Sequence, residues 1–193
     1  MFQIRLHGRG GQGVVTAAEM LSIAAFIEGR HAQAFPSFGS ERTGAPVVSY
    51  CRIDDREIRS REPIMTPDAV IVQDPTLFQA LDVFSGLNSN GFALINSTKG
   101  FAALGIDNVA AQLPPGHMRG VGATEFAKQH VGRPMPNAAL LGGFSAVTGQ
   151  ISIQSVEQAI RKKFPGKVAE GNVAAAYAAY EAAGGIVEEE THA

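Results

Sequence analysis

Four glycines fall within six residues near the start of the chain, in Gly8-Arg-Gly-Gly-Gln-Gly13, and Gly8, Gly10 and Gly13 satisfy the spacing G-x-G-x-x-G. Glycines so placed let a backbone approach a phosphate, and a helix that follows adds free N–H groups and the positive end of its dipole. A dinucleotide site of the NAD type also needs an Asp or Glu roughly 20 residues further on, to take the ribose hydroxyls. Gln33, Ala34 and Phe35 stand there instead. No Lys-Ser or Lys-Thr follows the last glycine, so the P-loop pattern fails as well. Two readings stay open on these residues alone: a phosphate cradle, or a tight strand-to-helix turn in which the glycines only pack.

The remaining candidates are fewer. Cys51 is the single cysteine, and one thiol makes neither an internal disulfide, nor a Cys-rich zinc site, nor the four-thiolate cage of an iron–sulfur cluster. Its place in an apolar stretch predicts a buried, inert thiol. His7, His31, His117, His130 and His192 lack metal-ligand spacing, so each reads as a local hydrogen-bonding or surface residue. No metal site and no catalytic side chain is assigned. A second loop, Pro36-Ser-Phe-Gly-Ser-Glu-Arg-Thr-Gly-Ala-Pro46, carries an adjacent Glu41-Arg42 pair beside Phe38. It is either a solvated loop or, since aromatic and Arg residues anchor interfaces, a contact surface.

These residues need elements to hold them. Phe2, Ile4 and Leu6 alternate as in a strand that runs into the glycine loop, and helical spacing starts at Val14 and stops at Gly29. A short strand is predicted at 32–35, then a hairpin of 47–53 with 56–60 turning at Asp54-Asp55. Residues 68–74 and 92–96 have the continuous apolar centres of strands buried on both faces. Asp74-Pro75 predicts a capped helix to about Ser85, and 106–110 and 117–121 read as weaker strands. Four helices follow, capped by Thr124, Asn137, Ser152 and Asn172, with stops at Gly132, Gly149 and Gly184-Gly185. The alternation gives an α/β fold with an inserted β-hairpin and a helical C-terminal part.

Composition narrows the function. The 193 residues are 45% hydrophobic and 18% charged, with a formal net charge of −2. That is a packed globular chain without the basic surface expected for nucleic acid or an anionic membrane. No apolar run of about 18 residues and no secretory leader pattern is present, which predicts a cytoplasmic protein without a membrane span.

The run Gly8-Arg-Gly-Gly-Gln-Gly13-Val-Val-Thr-Ala-Ala-Glu-Met-Leu21, together with the loop from Pro36 to Pro46, resembles the gamma subunit of the 2-oxoacid:acceptor oxidoreductases, the pyruvate:ferredoxin oxidoreductase family. Asn137, Leu141-Gly142 and the stretch Lys-Val-Ala-Glu-Gly-Asn172 extend the likeness over nearly the whole chain. The resemblance implies one Rossmann-like gamma domain over residues 1–193, with a mostly parallel sheet flanked by helices. It implies a part in oxidative decarboxylation of a 2-oxoacid, pyruvate first, to an acyl-CoA and carbon dioxide, with electrons passing to ferredoxin or another acceptor. Coenzyme A contact then falls to Gly8, Arg9, Gly10, Gly11, Gln12 and Gly13. Phe38, Gly39, Glu41, Arg42 and Gly44 face the neighbouring subunits. Thiamine diphosphate, Mg and iron–sulfur clusters sit in alpha, beta and delta partners, not in this chain. A self-sufficient nucleotide- or flavin-dependent oxidoreductase and a purely structural assembly subunit are the competing readings.

Overall fold

β1 (Phe2–Arg9) sends its even residues Ile4 and Leu6 into one face of a sheet and its odd residues Arg5 and His7 into the other, and all four are buried. A strand buried on both faces belongs in the middle of a covered sheet. In the computed structural model, which describes residues 1–37 and 42–186, six strands stand in the order β2-β3-β1-β4-β5-β6. Here β2 is His31–Pro36, β3 Pro46–Asp54, β4 Ala69–Val72, β5 Phe92–Asn96 and β6 Met118–Val121. β1, β4, β5 and β6 pair in parallel, while β3 runs antiparallel to both β1 and β2. The Rossmann-like, mostly parallel sheet expected from the sequence is present.

Helices pack unequally on its two faces. α1 (Val14–Ile27) lies on β1, β2 and β3, and α4 (Asn137–Thr148) lies on β5 and β6. α4 is buried from Asn137 through Ser145, as a helix apolar nearly all round must be. α5 (Ile153–Lys163) and α6 (Gly166–Ala182) close over α1 and α4, and α3 (Ala123–Val131) packs against α6. The opposite face has a smaller core of Val70, Val72, Leu77, Val83, Ala93, Ile95, Ile106 and Met118. Its cover is a short 3₁₀ turn, Pro75–Gln79, and the six-residue α2 (Asp107–Gln112).

Several local expectations give way to tertiary demands. Residues 56–60 form no strand, because both edges of β3 are taken by β1 and β2. The inserted hairpin is therefore β2 with β3. Asp74 does cap Thr76 N–H, at 3.0 Å, but only the 3₁₀ turn follows instead of a helix to Ser85. Leu77 and Val83 both enter the smaller core, and six residues apart on one helix they would point about 120° away from each other. Residues 106–110 form the N-cap and first turn of α2 rather than a strand, since parallel β5 and β6 need a crossover between them. α6 starts at Gly166, so Asn172 lies inside it and donates from Nδ2 to Val168 O. Ser152 is the cap expected of it, accepting from Ser155 N–H at 3.1 Å. Asn137 opens α4 behind Pro136, and Thr124 sits one residue into α3.

The later motif residues have packing reasons. A Cβ on Gly142 would run into the Ala176 carbonyl of α6, and one on Gly171 would meet His130 O of α3 at 2.5 Å. Two pairs of helix backbones meet there, and side chains would hold them apart.

Candidate functional site

The glycine loop leaves the carboxyl end of β1, the position where open α/β sheets take ligands. It is clasped to residues 42–45. Gly10 N–H donates to Ala45 O at 2.9 Å, Gly44 N–H donates to Gly10 O at 3.0 Å, and Gly10 bridges Thr43. Any Cβ on Gly10 would collide with the Arg42 carbonyl, so the clasp requires glycine. Arg9 braces the assembly: Nε donates to Asp74 Oδ2 at 3.1 Å, Nη1 to Gly44 O at 3.0 Å and Nη2 to Thr76 Oγ1 at 2.9 Å. Gln12 accepts from Arg9 N–H with Oε1 and donates from Nε2 to Asp74. Burial pushes the Asp74 carboxyl up. The Thr76 and Gln12 hydrogen bonds and the Arg9 charge outweigh it and hold the group below its ordinary range.

α1 begins directly after this brace. Gly13, in the N-cap position at φ 71°, offers no side chain to the first turn, and that turn contains no acidic residue. Ala17 N–H reaches Gly13 O, which leaves the N–H groups of Val14, Val15 and Thr16 without intrahelical partners. Those three residues line a recess of about 250 Å³ with Arg9, Gly10, Gly11, Gly13 and Val47. Such a recess accepts an anion through backbone donors and the helix dipole. Where a ribose-binding carboxylate would stand beside β1, the antiparallel β3 begins with Pro46 and Val47 instead.

Of the six loop residues singled out by sequence, Arg9, Gly10, Gly11 and Gly13 line this recess. Gly8 is buried, close enough to Val14 and Gln73 that a side chain would not fit. Gln12 turns to the opposite side. There a second crevice, about 510 Å³, opens between Gln12, Gln73, Asp74, Asn96, Thr98, Lys99, Thr124, Glu125 and Pro136. Asn96 ties its floor together, donating to Gln73 O and Thr124 Oγ1 at 2.8 Å each and accepting from Thr124 N–H.

Phe38, Gly39 and Glu41 lie outside the described residues. Arg42 and Gly44 are exposed and are drawn onto the glycine loop by the clasp, so two stretches read separately form one surface. Beside it Phe35 packs on Tyr50 with centroids 5.0 Å apart, and the Arg52 guanidinium lies 5.2 Å over the Phe35 ring. Asp74 and Gln73 were missed as site residues. The sequence places both at the end of the strand predicted at 68–74, but only the pairing of β4 with β1 brings them beside the loop.

Two groups elsewhere are inert. Cys51 is fully buried in β3, and burial pushes its thiol up to about 12. His7 accepts from Arg5 Nε at 3.0 Å, and burial, with the Arg5 charge, lowers its imidazole to about 3. Among the described residues no helix is long and apolar enough to cross a membrane.

Comparison with known proteins bears on the same residues. The family model for pyruvate ferredoxin/flavodoxin oxidoreductase matches residues 3–182. Pyruvate synthase subunit PorC of Methanothermobacter marburgensis is 45% identical over 181 residues, 94% of this chain and 97% of that one. The pyruvate/ketoisovalerate oxidoreductases common subunit gamma of Pyrococcus furiosus is 44% identical over 183 residues, covering 94% and 96%. Among solved structures, pyruvate oxidoreductase subunit PORC from Thermotoga maritima superposes with a TM-score of 0.78 at 36% identity, over 94% of this chain and 96% of that one. A 2-oxoglutarate:ferredoxin oxidoreductase from Magnetococcus marinus, solved with 2-oxoglutarate, coenzyme A and succinyl-CoA bound, has a TM-score of 0.71 at 17% identity. The match covers 94% of this chain and 31% of that one, and it shows a shared fold.

Proposed function

Since the chain belongs to the pyruvate ferredoxin/flavodoxin oxidoreductase family, as a gamma subunit of a 2-oxoacid:ferredoxin oxidoreductase, we propose that its own task is to hold coenzyme A while partner subunits carry out the oxidative decarboxylation. The observation that carries this is the uncapped N-terminus of α1, where Val14, Val15 and Thr16 line a recess. A pyrophosphate fits that donor set and needs no ribose carboxylate. Gly10, Gly11 and Gly13 let it approach, Gly8 lets the strand pass beneath the helix, and Gln12 and Arg9 keep the loop in shape. Arg9 lines the recess while its fork is engaged by Asp74, Thr76 and Gly44.

In this reading residues 1–193 form one gamma domain in the cytoplasm, and Phe38, Gly39, Glu41, Arg42 and Gly44 face the alpha, beta and delta partners. Those partners hold thiamine diphosphate, Mg and the iron–sulfur clusters, which supply the carbanion chemistry and the electron path to ferredoxin. The buried thiol of Cys51 suits a chain with no part in that path. Pyruvate is the first substrate. The Pyrococcus furiosus relative is named as common to pyruvate and ketoisovalerate oxidoreductases, which supports placing the choice of oxoacid outside the gamma subunit.

Thr16→Glu in the assembled enzyme tests the reading. A carboxylate in the first turn stabilises a helix by roughly 0.3–1 kcal/mol, so loss of fold would not explain a loss of binding. Beside a bound phosphate the same charge costs several kcal/mol at an effective dielectric constant of about 20. The KM for coenzyme A should rise at least about tenfold with the KM for pyruvate unchanged. An unaltered coenzyme A dependence would remove the α1 terminus from the site.

A further inference from the structure

Among the described residues, one buried polar side chain beside the loop is left over once the brace is accounted for. Gln73 is only 2% exposed, and neither its Nε2 nor its Oε1 has a hydrogen-bond partner. Buried amides are rarely left so, because each unmade bond forfeits the solvation the group had in water. Its main chain is fully used: the N–H donates to His7 O and the carbonyl accepts from Asn96, both at 2.8 Å. The point from which the side chain springs is therefore fixed.

Gln73 lines the 510 Å³ crevice beside the glycine loop. Three residues with carboxamide side chains line it, and the protein itself occupies the amides of two of them. Gln12 holds Arg9 N–H and Asp74, and Asn96 holds Gln73 O and Thr124. The third is unpartnered at both ends. The other buried atoms without partners, His7 Nδ1, Gln33 Oε1 and Ser49 Oγ, line neither the recess nor the crevice.

Charge decides what chemistry suits the crevice. Two carboxylates, Asp74 and Glu125, and one ammonium, Lys99, stand around it. A second phosphate gains little there. A neutral group that presents an N–H and a C=O together is the complement of a primary amide that lacks both an acceptor and a donor. Gln12 lines the crevice while its chain neighbours Gly11 and Gly13 line the recess, so a chain leaving a pyrophosphate on that side would pass over it toward Gln73.

We propose that this crevice takes the amide-bearing pantetheine arm of coenzyme A and that Gln73 is the residue that reads it. The proposal rests on the assignment of the pyrophosphate to the N-terminus of α1. The two are separable by fragment. Binding to the assembled enzyme is measured by calorimetry for coenzyme A and for adenosine 3′-phosphate 5′-diphosphate, which keeps the phosphates and lacks the arm. Gln73→Leu should weaken coenzyme A about tenfold and leave the nucleotide fragment unchanged. Gln73→Met, closer in shape, should show the same split. Coenzyme A binding at the original strength in either variant overturns the proposal, and so does an equal loss for both ligands, which marks a general disturbance. Failure of the phosphate assignment reads differently: Thr16→Glu would then leave the nucleotide fragment bound as before.

Discussion

Arg5 lies on β1 and Gln73 directly follows the neighbouring parallel β4; both are buried and polar, yet they stand in opposite condition. Arg5 spends its guanidinium entirely on its own chain: Nε donates to His7 Nε2 at 3.0 Å, Nη1 to Ile64 O at 3.3 Å, and Nη2 to Val83 O at 2.9 Å and Ser85 O at 2.6 Å. It nails two covering segments to the thinly clad face of the sheet, where helices are short and the apolar core is small. Gln73 meets nothing at either end. Burial alone does not separate a structural polar group from a functional one. The inventory of partners does, because a satisfied group has its enthalpy already and an unsatisfied one still offers it to a ligand.

The comparison is broken or sharpened most by Arg5→Leu. Three carbonyls and His7 Nε2 would lose their donor, and at roughly 1–3 kcal/mol for a group left unsatisfied the loss should reach about 3 kcal/mol or more in denaturant unfolding. A loss under about 1 kcal/mol would mean that Arg5 is no more structural than Gln73. His7 gives the next largest effect. In the folded chain it stays neutral down to about pH 3, whereas in the unfolded chain it takes a proton below about pH 6.5. The unfolded state binds more protons between those limits, so stability falls as pH falls through the window, by about 1.4 kcal/mol per unit, and is flat with respect to this group above it. His7→Gln should remove that slope between pH 6 and pH 4, as urea midpoints at each pH would record.

Gly142→Ala probes the well-clad face. Its new methyl meets the Ala176 carbonyl, and overpacking of that kind costs about 1–3 kcal/mol. The melting temperature should drop while coenzyme A affinity holds, since α4 and α6 meet away from the loop. The smallest change belongs to Gln73→Leu, which should alter stability by less than about 1 kcal/mol in either direction, because it removes no bond the protein makes to itself. A large destabilisation there would erase the contrast with Arg5.

What could be read in advance follows the range of the forces involved. The strand–glycine–helix opening, the strands at 68–74 and 92–96, the Ser152 cap and the glycine stops rest on alternation, capping and backbone preference within about four residues, so they are legible in order along the chain. The partner of β3 was misread because Asp54-Asp55 is locally an acceptable turn, and only the occupied edges of β3 exclude residues 56–60. Asn172 reads as a helix cap because Asn is a favoured N-cap residue, and Gly171 precedes it. In the fold the glycine sits where α3 and α6 touch.

For the site, residue types and spacing determined by themselves that a phosphate-compatible loop precedes a helix, that no ribose carboxylate follows it, and that one cysteine cannot build a four-thiolate cluster cage. Tertiary structure alone decided that residues 42–45 are clasped to that loop, that Arg9 braces it against Asp74, and that Gln73 is buried beside it without a partner. Those facts depend on groups as many as 65 residues apart, and hydrogen-bond satisfaction is a property of where such groups meet rather than of the order in which they were joined.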